Sequence, residues 1–235
     1  MVKKVGLIIQ AHMGSTRLPG KVLKTVNDIS VLGHVILRLK KVKNSDEIIV
    51  ATSILPVDDV IVKESRKYGA LVFRGDDEDV LARYYNAAKK YGITEIARVC
   101  SDNMFIDPDI VESEIGIYMQ NDYDLVTSGP TVPLGLGTEV FSFKNLEKAF
   151  LKAATSYEHE HVTPYFYDHG NVCYYETDID MGKYRFTLDT EEDWQLVRAV
   201  ASQLDSKECT LRDIINVMEK NPEFYEINKN VKQRL

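Results

Sequence analysis

The sequence predicts an α/β fold, a mainly parallel mixed sheet sandwiched by helices, with a small β excursion in its second half. Three observations carry this expectation. Apolar, β-branched runs alternate with helical patterns through the first half, the connections between them are short, and the rhythm changes after residue 128. A strand joined to a parallel neighbour through a helix crosses over right-handedly and has both faces covered, so its sequence reads as a continuous apolar run.

Each element follows from its local pattern. "KVGLIIQA" (4–11) is the first strand, and "ISVLGHVILRLKKV" (29–42) carries apolar residues at helical spacing with basic residues at its end, where the helix dipole favours them. "DEIIVAT" (46–52) is a second strand; "PVDDVIVKESRKYG" (56–69) reads as a helix opened by Pro56 and stopped by Gly69. "ALVFRG" (70–75), "EDVLARYYNAAKKYG" (78–92) and "TEIARVC" (94–100) continue as strand, helix and strand, followed by a helix over 107–121 and a strand over 123–128. "GPTVPLGLG" (129–137) must be a loop, because two prolines and three glycines oppose regular structure. A strand over 138–143, a helix in "KNLEKAFLKAA", a short helix over 157–169 and strands in "NVCYYETD" and "YRFTLD" form the excursion, and helices broken near Pro222 fill the tail. The whole, 1–235, is expected to be one domain, with 129–185 as its excursion and 190–235 as C-terminal helices.

Composition narrows the function. A net charge of −7 without a lysine- or arginine-rich tract argues against a nucleic-acid-coating surface, while a small anionic ligand needs only a few local cations. The three cysteines, Cys100, Cys173 and Cys209, are odd in number and lack zinc-ligand spacing, which suggests reduced thiols. "MVKKVGLIIQ" lacks the longer apolar core and cleavage site of a signal peptide, and no stretch approaches the length of a membrane-spanning helix. A cytoplasmic protein without membrane insertion is expected.

The first strand runs into "QAHMGSTRLPGK" (10–21), at the carboxyl edge of the sheet where ligands bind in open α/β folds. Gly14, Ser15 and Thr16 keep side chains small so that backbone N–H groups can approach a ligand. Arg17 supplies a bidentate fork and Lys21 a compact charge, both suited to phosphate oxygens. The loop is neither a Walker loop, since Val22 follows Lys21, nor a G-x-G-x-x-G fingerprint. A glycine–proline loop with a surface arginine is the competing reading.

"QAHMGSTRLPGKVL" resembles the N-terminal signature of cytidylyltransferase-like proteins of the spore coat polysaccharide biosynthesis protein F type, and more distantly that of acylneuraminate and 3-deoxy-manno-octulosonate cytidylyltransferases. "DEIIVATS", "VFRGDDEDVLARYYNAA", "RVCSDNMFIDPDIV", "EVFSF", "EHEHVTPY", "FTLDTEEDW" and "NPEFYEIN" extend the resemblance along most of the chain. It implies a nucleotidyltransferase fold of the glycosyltransferase-A kind, usually dimeric, that transfers CMP from CTP to a sugar or sugar acid for surface glycan synthesis and releases pyrophosphate. Ala11, His12, Met13, Gly14, Ser15, Arg17 and Lys21 would then cradle the triphosphate. One position departs: the family's first loop arginine is His12 here, a shorter and mostly neutral side chain, which leaves open weaker triphosphate binding, a different nucleotide preference or lost activity.

A triphosphate carries about four negative charges, and attack at phosphorus needs them neutralised, usually by Mg²⁺ held through one or two carboxylates. Asp102 follows the strand "TEIARVC" and Asp189 follows "YRFTL"; the resemblance makes both metal ligands, and with Arg17 and Lys21 the catalytic set. Capping of a turn or of the helix "TEEDWQLV" is the competing role for these aspartates. Asp107 reads as an N-cap and "GDDED" (75–79) as a solvated helix start. Arg98, inside an apolar strand, is either paired across the sheet or directed into the nucleotide pocket, which the resemblance favours; Arg74 has the same ambiguity. Glu139 follows the glycine-rich loop, and helical spacing puts Glu158 and His161 on one face. These three are the acceptor-side candidates, with a packing histidine as the alternative for His161. Glycosyl transfer from a nucleotide sugar and a non-catalytic nucleotide-binding subunit are the other functions this fold allows.

Overall fold

Side chains of a strand point alternately to the two faces of its sheet, so one strand can feed two cores. The computed structural model, which describes residues 3–233, shows this along β1 (Val5–Gln10): Leu7 and Ile9 enter one core and Ile8 the other. A tight hairpin of β2 (Thr25–Val26) and β3 (Ile29–Ser30) follows the opening loop. Asn27 and Asp28, both at positive φ, form its turn, a conformation their short polar side chains tolerate. This hairpin occupies the start of the helix expected over 29–42, which begins only at α1 (Val31–Leu39), where Ser30 accepts from Gly33 N–H at 2.9 Å.

Next come β4 (Glu47–Ser53), α2 (Asp59–Lys67), β5 (Leu71–Gly75), α3 (Val80–Tyr91), β6 (Glu95–Cys100), α4 (Pro108–Gln120) and β7 (Leu125–Ser128). β8 (Glu139–Ser142) leads into α5 (Phe143–Lys152), and two short helices, α6 (Ser156–His161) and α7 (Pro164–His169), precede β9 (Val172–Tyr175). The single helix expected over 157–169 is broken at Val162, which takes φ 69°, and Pro164, with no N–H to donate, stands at the first position of the new helix α7. α8 (Glu191–Ala201), α9 (Leu211–Lys220) and α10 (Glu223–Asn228) complete the chain, with the break at Pro222.

The sheet order is β5-β4-β1-β6-β8-β7-β9. β8 alone runs against its neighbours β6 and β7, and β9 is parallel to β7. The excursion thus returns two strands to the main sheet. Residues 184–189 are not a strand. This segment is held by Leu134 through one bridge, with Leu134 N–H donating to Tyr184 O and Phe186 N–H to Leu134 O. Gly135, at φ 99°, allows the approach: a Cβ there would lie 2.6 Å from Thr187 N.

Helices α1, α2 and α4 cover one face of the sheet, and α3, α5 and α7 the other. A third core joins Phe105, Phe186, Leu188 and Trp194 to the C-terminal helices. Each such fully buried side chain contributes about 1.5–3 kcal/mol relative to exposure. The third core fixes segment 184–189 against the loop after β6, where Leu188 N–H donates to Asp102 O at 3.1 Å. After β1 the chain moves outward to β4 and β5, then jumps back to β6 on the other side of β1. Loops that leave adjacent strands in opposite directions open a crevice at the strands' carboxyl ends, here between residues 11–21 and 101–107.

Candidate active site

A cleft of about 530 Å³ opens at that switch point, lined by Gln10, Ala11, His12, Gly14 and Lys21 on one side and Cys100, Ser101 and Asp102 beneath. Ala11 N–H donates to Ala51 O at 3.2 Å, which continues the β1 ladder into the loop. The loop is then tied down by Asp58. Its Oδ1 accepts from Met13 N–H at 2.8 Å, while its Oδ2 takes hydroxyls from Ser53 at 2.5 Å and Thr52 at 3.2 Å. Ser15 Oγ accepts from Leu18 N–H at 3.4 Å, and Gly20, at φ 64°, turns the chain so that Lys21 points back across the crevice.

Lys21 is the centre of the site. Its Nζ lies 2.6 Å from Asp102 Oδ2 and 2.8 Å from Asp189 Oδ1, joining residues far apart in sequence. Burial alone would lower the Lys21 pKa, but the two carboxylates outweigh it and the net direction is upward, so the ammonium stays charged. Asp189 shows the counterpart. Burial would raise its pKa, and Lys21, Arg185 and Arg17 together bring it below the usual carboxylate value. Arg17 Nη2 stands 3.4 Å from Asp189 Oδ1, and Arg185 Nη2 donates to Asp189 Oδ2 at 2.7 Å.

The capping roles that competed for these aspartates fall elsewhere. Thr190 is the N-cap of α8, paired in a capping box with Asp193, whose Oδ2 also accepts from Asp189 N–H at 3.0 Å. Asp189 itself caps nothing, and its carboxylate meets Lys21, Arg17 and Arg185 instead. Asp102 caps no helix, and its Oδ1 is buried without a hydrogen-bond partner. A buried, unpartnered carboxylate oxygen beside a second carboxylate is the donor set a hard divalent cation uses, completed by phosphate oxygens and water. No group of three or more His, Cys, Asp or Glu residues able to hold a metal is found among the described residues, so any metal here would rest on this pair.

The family model for cytidylyltransferases matches residues 7–231 of the chain. The chain belongs to the cytidylyltransferase family. It is 39% identical over 232 residues to an uncharacterized protein of Methanocaldococcus jannaschii, covering 97% of this chain and 95% of that one. It is 31% identical over 229 residues to the spore coat polysaccharide biosynthesis protein SpsF of Bacillus subtilis, covering 92% and 94%. Its fold superposes on the solved structure of a cytidylyltransferase from Leptospira borgpetersenii with a TM-score of 0.92, at 34% identity and full coverage of both chains.

In this member of the family the residues expected from the sequence separate into three groups. The loop 11–21, Asp102 and Asp189 converge as described, and His161 reaches the cleft from α6 beside Ser156 and Glu160. Arg98 and Glu139 satisfy one another instead of standing free for a ligand. They are opposite residues of β6 and β8 and form an ion pair, with Arg98 Nε also donating to Gln10 at 3.1 Å. The cross-sheet alternative is the one realised for Arg98, and Glu139 further accepts from Thr163 at 2.9 Å and Tyr167 at 2.7 Å. Arg74 and Glu158 do not join the cleft. Arg74 clamps the β4–α2 connection, donating to Ser53 O and Leu55 O and pairing with Asp59 at 2.6 Å. Glu158 closes the capping box of α6 with Thr155.

Asp77 and Glu78, expected only as part of a solvated helix start, line the cleft from the β5–α3 connection, and sequence reasoning missed Arg83, which lines it from α3, and Arg185, which donates to Asp189. Cys100 also borders the cleft, but burial pushes its thiol up to about 11, which makes it a poor nucleophile. Asp107 is the N-cap it was expected to be, and His34 is buried, with Nε2 3.0 Å from Val26 O. None of the described helices is long and apolar enough to cross a membrane.

Proposed function

We propose that this chain transfers CMP from CTP to a sugar or sugar acid, with release of pyrophosphate, in the synthesis of a surface glycan. The observation that carries the reading is the Lys21 bridge between Asp102 and Asp189 at the mouth of a loop rich in backbone donors. Arg17 and Lys21 bind the triphosphate, and the N–H groups of residues 12–15 approach its oxygens. Asp102 and Asp189 would hold Mg²⁺, which when bound neutralises charge on the triphosphate. Arg185 and Asp193 keep Asp189 facing the crevice. Ser156, Glu160 and His161 stand on the acceptor side, where an acceptor oxygen attacks the α-phosphorus and the bond to the β-phosphate breaks. The gain comes from alignment and charge stabilisation, without a covalent intermediate.

The name of the Bacillus subtilis relative, a spore coat polysaccharide biosynthesis protein, supports the glycan assignment. The test is pyrophosphate release from CTP and Mg²⁺ across a panel of sugars and acidic sugars, beside the thermal shift CTP produces. Product with at least one acceptor and a raised Tm are expected. Sugar transfer from a nucleotide sugar without pyrophosphate release would replace the proposal with glycosyl transfer, and no product with no shift would end it.

A further inference from the structure

The stretch "NPEFYEIN" (221–228) has no part in the site as described so far, yet its last residue reaches it. Asn228 ends α10, which packs on α8, and is 3% exposed. Its amide nitrogen donates to Arg185 O at 3.0 Å and to Asp193 Oδ1 at 2.8 Å. Both partners only accept, so the chemistry fixes which way the amide points. An aspartate in its place would set a carboxylate against a carboxylate and a carbonyl with no proton between them.

The two partners of Asn228 meet at one guanidinium. Arg185 donates from Nε to Asp193 Oδ1 at 3.0 Å and from Nη2 to Asp193 Oδ2 at 3.2 Å, and the same Nη2 reaches Asp189 Oδ2 at 2.7 Å. Its Nη1 donates to Gln233 Oε1. Asn228 therefore holds the backbone of Arg185 and the carboxylate that aligns its fork, while Gln233 holds the remaining arm. Segment 184–189 lies outside the sheet, so the place of Asp189 depends on such side-chain contacts more than a strand residue's would. A carboxylate binds a cation well only where its own partners fix it, and losing such a partner typically costs about 10–100-fold in metal affinity or activity. Resting on the nucleotidyl-transfer reading above, we propose that Asn228, with Gln233, is a positioning residue of the cleft: the two fix Arg185, and Arg185 fixes the Asp189 carboxylate for the cation it would hold.

Two binding measurements on the full chain test this. Electron paramagnetic resonance titration of Mn²⁺ at saturating CTP reads the cation site, and calorimetry with CTP and a chelator reads the triphosphate loop without metal. Asn228→Ala is expected to weaken Mn²⁺ about tenfold and to leave metal-free CTP affinity within about twofold, since Arg17 and Lys21 belong to the opening loop and not to α10. Asn228→Ser keeps one donor and should lie closer to the wild type. Mn²⁺ affinity within about twofold of the wild type in Asn228→Ala, whatever its Tm, leaves Asn228 a packing role and overturns the inference. An equal loss of metal-free CTP binding overturns it too, because the whole cleft would then have shifted. Should Asn228→Ala not fold, Gln233→Ala decides, its side chain being exposed: Mn²⁺ weakened about two- to threefold supports the inference, and no change overturns it. A wild type that binds CTP without Mn²⁺ overturns the inference and leaves nucleotide binding standing, whereas one that binds neither ends the nucleotidyl-transfer reading as well.

Discussion

Replacing Glu114 with glutamine probes a carboxyl group that the fold keeps neutral behind the cleft. Glu114 lies on α4, fully buried, with its Oε2 accepting from Thr138 N–H at 2.9 Å and its other oxygen against Ser128 Oγ. Burial pushes its pKa up to about 8 from 4.5, against the Ser128 and Thr138 hydrogen bonds and with help from the charge of Glu139. Between those two values the folded chain holds a proton that the unfolded chain has released, so stability falls as pH rises, by about 1.4 kcal/mol per pH unit. From about pH 5.5 to about pH 7.5 the loss amounts to roughly 2–3 kcal/mol, or about 5–10 °C in Tm for a chain of this size. Glutamine preserves shape and both hydrogen-bonding partners but cannot ionise. Thermal unfolding followed by circular dichroism at both pH values should therefore show a wild-type drop in Tm larger than that of Glu114→Gln by this amount. Equal drops would refute the reasoning and place an ionised carboxylate in the core.

Other perturbations bear on the cleft itself. Lys21→Ala removes one of the two cations proposed to bind the triphosphate and leaves two carboxylates facing each other; kcat/KM for CTP is expected to fall about 10²–10³-fold in a pyrophosphate assay, and an unchanged value would remove Lys21 from catalysis. Asp58→Ala frees Met13 N–H and strands the Ser53 and Thr52 hydroxyls, so urea unfolding should show a loss of about 2–3 kcal/mol together with a raised KM for CTP. Gly135→Ala forces a Cβ against Thr187 at a positive φ and should displace the segment carrying Asp189, lowering both Tm and CTP turnover; wild-type values for both would show that the loop yields without cost.

The sheet was legible because its strands carry their own signal: β1 and β4 hold unbroken apolar runs and β6 is apolar apart from Glu95 and Arg98, as strands covered on both faces must be. The opening loop was legible for a similar local reason, its small residues and cations following a strand without interruption. What escaped depends on contacts distant in sequence. Residues 184–189 alternate like a strand, yet tertiary contacts with Leu134 and Asp102 hold them as an extended segment beside the cleft. Arg98 and Glu139 each looked available to a ligand, and only the β6–β8 register shows that they satisfy one another. Arg83 lay hidden in α3, because a helical pattern does not show which buried side chain lacks a partner. The hairpin was the reverse case: Asn27–Asp28 is a local turn signal, yet its second strand, β3, was absorbed into the helix pattern of 29–42.

A crystal structure of the chain with CTP and Mg²⁺ measures the main point directly. The account predicts the triphosphate along residues 11–21, with the cation between the carboxylates of Asp102 and Asp189 and Lys21 turned onto a phosphate oxygen. A nucleotide bound elsewhere, or one seated in the cleft with the Lys21 bridge to both aspartates unbroken and no cation beside them, would contradict it.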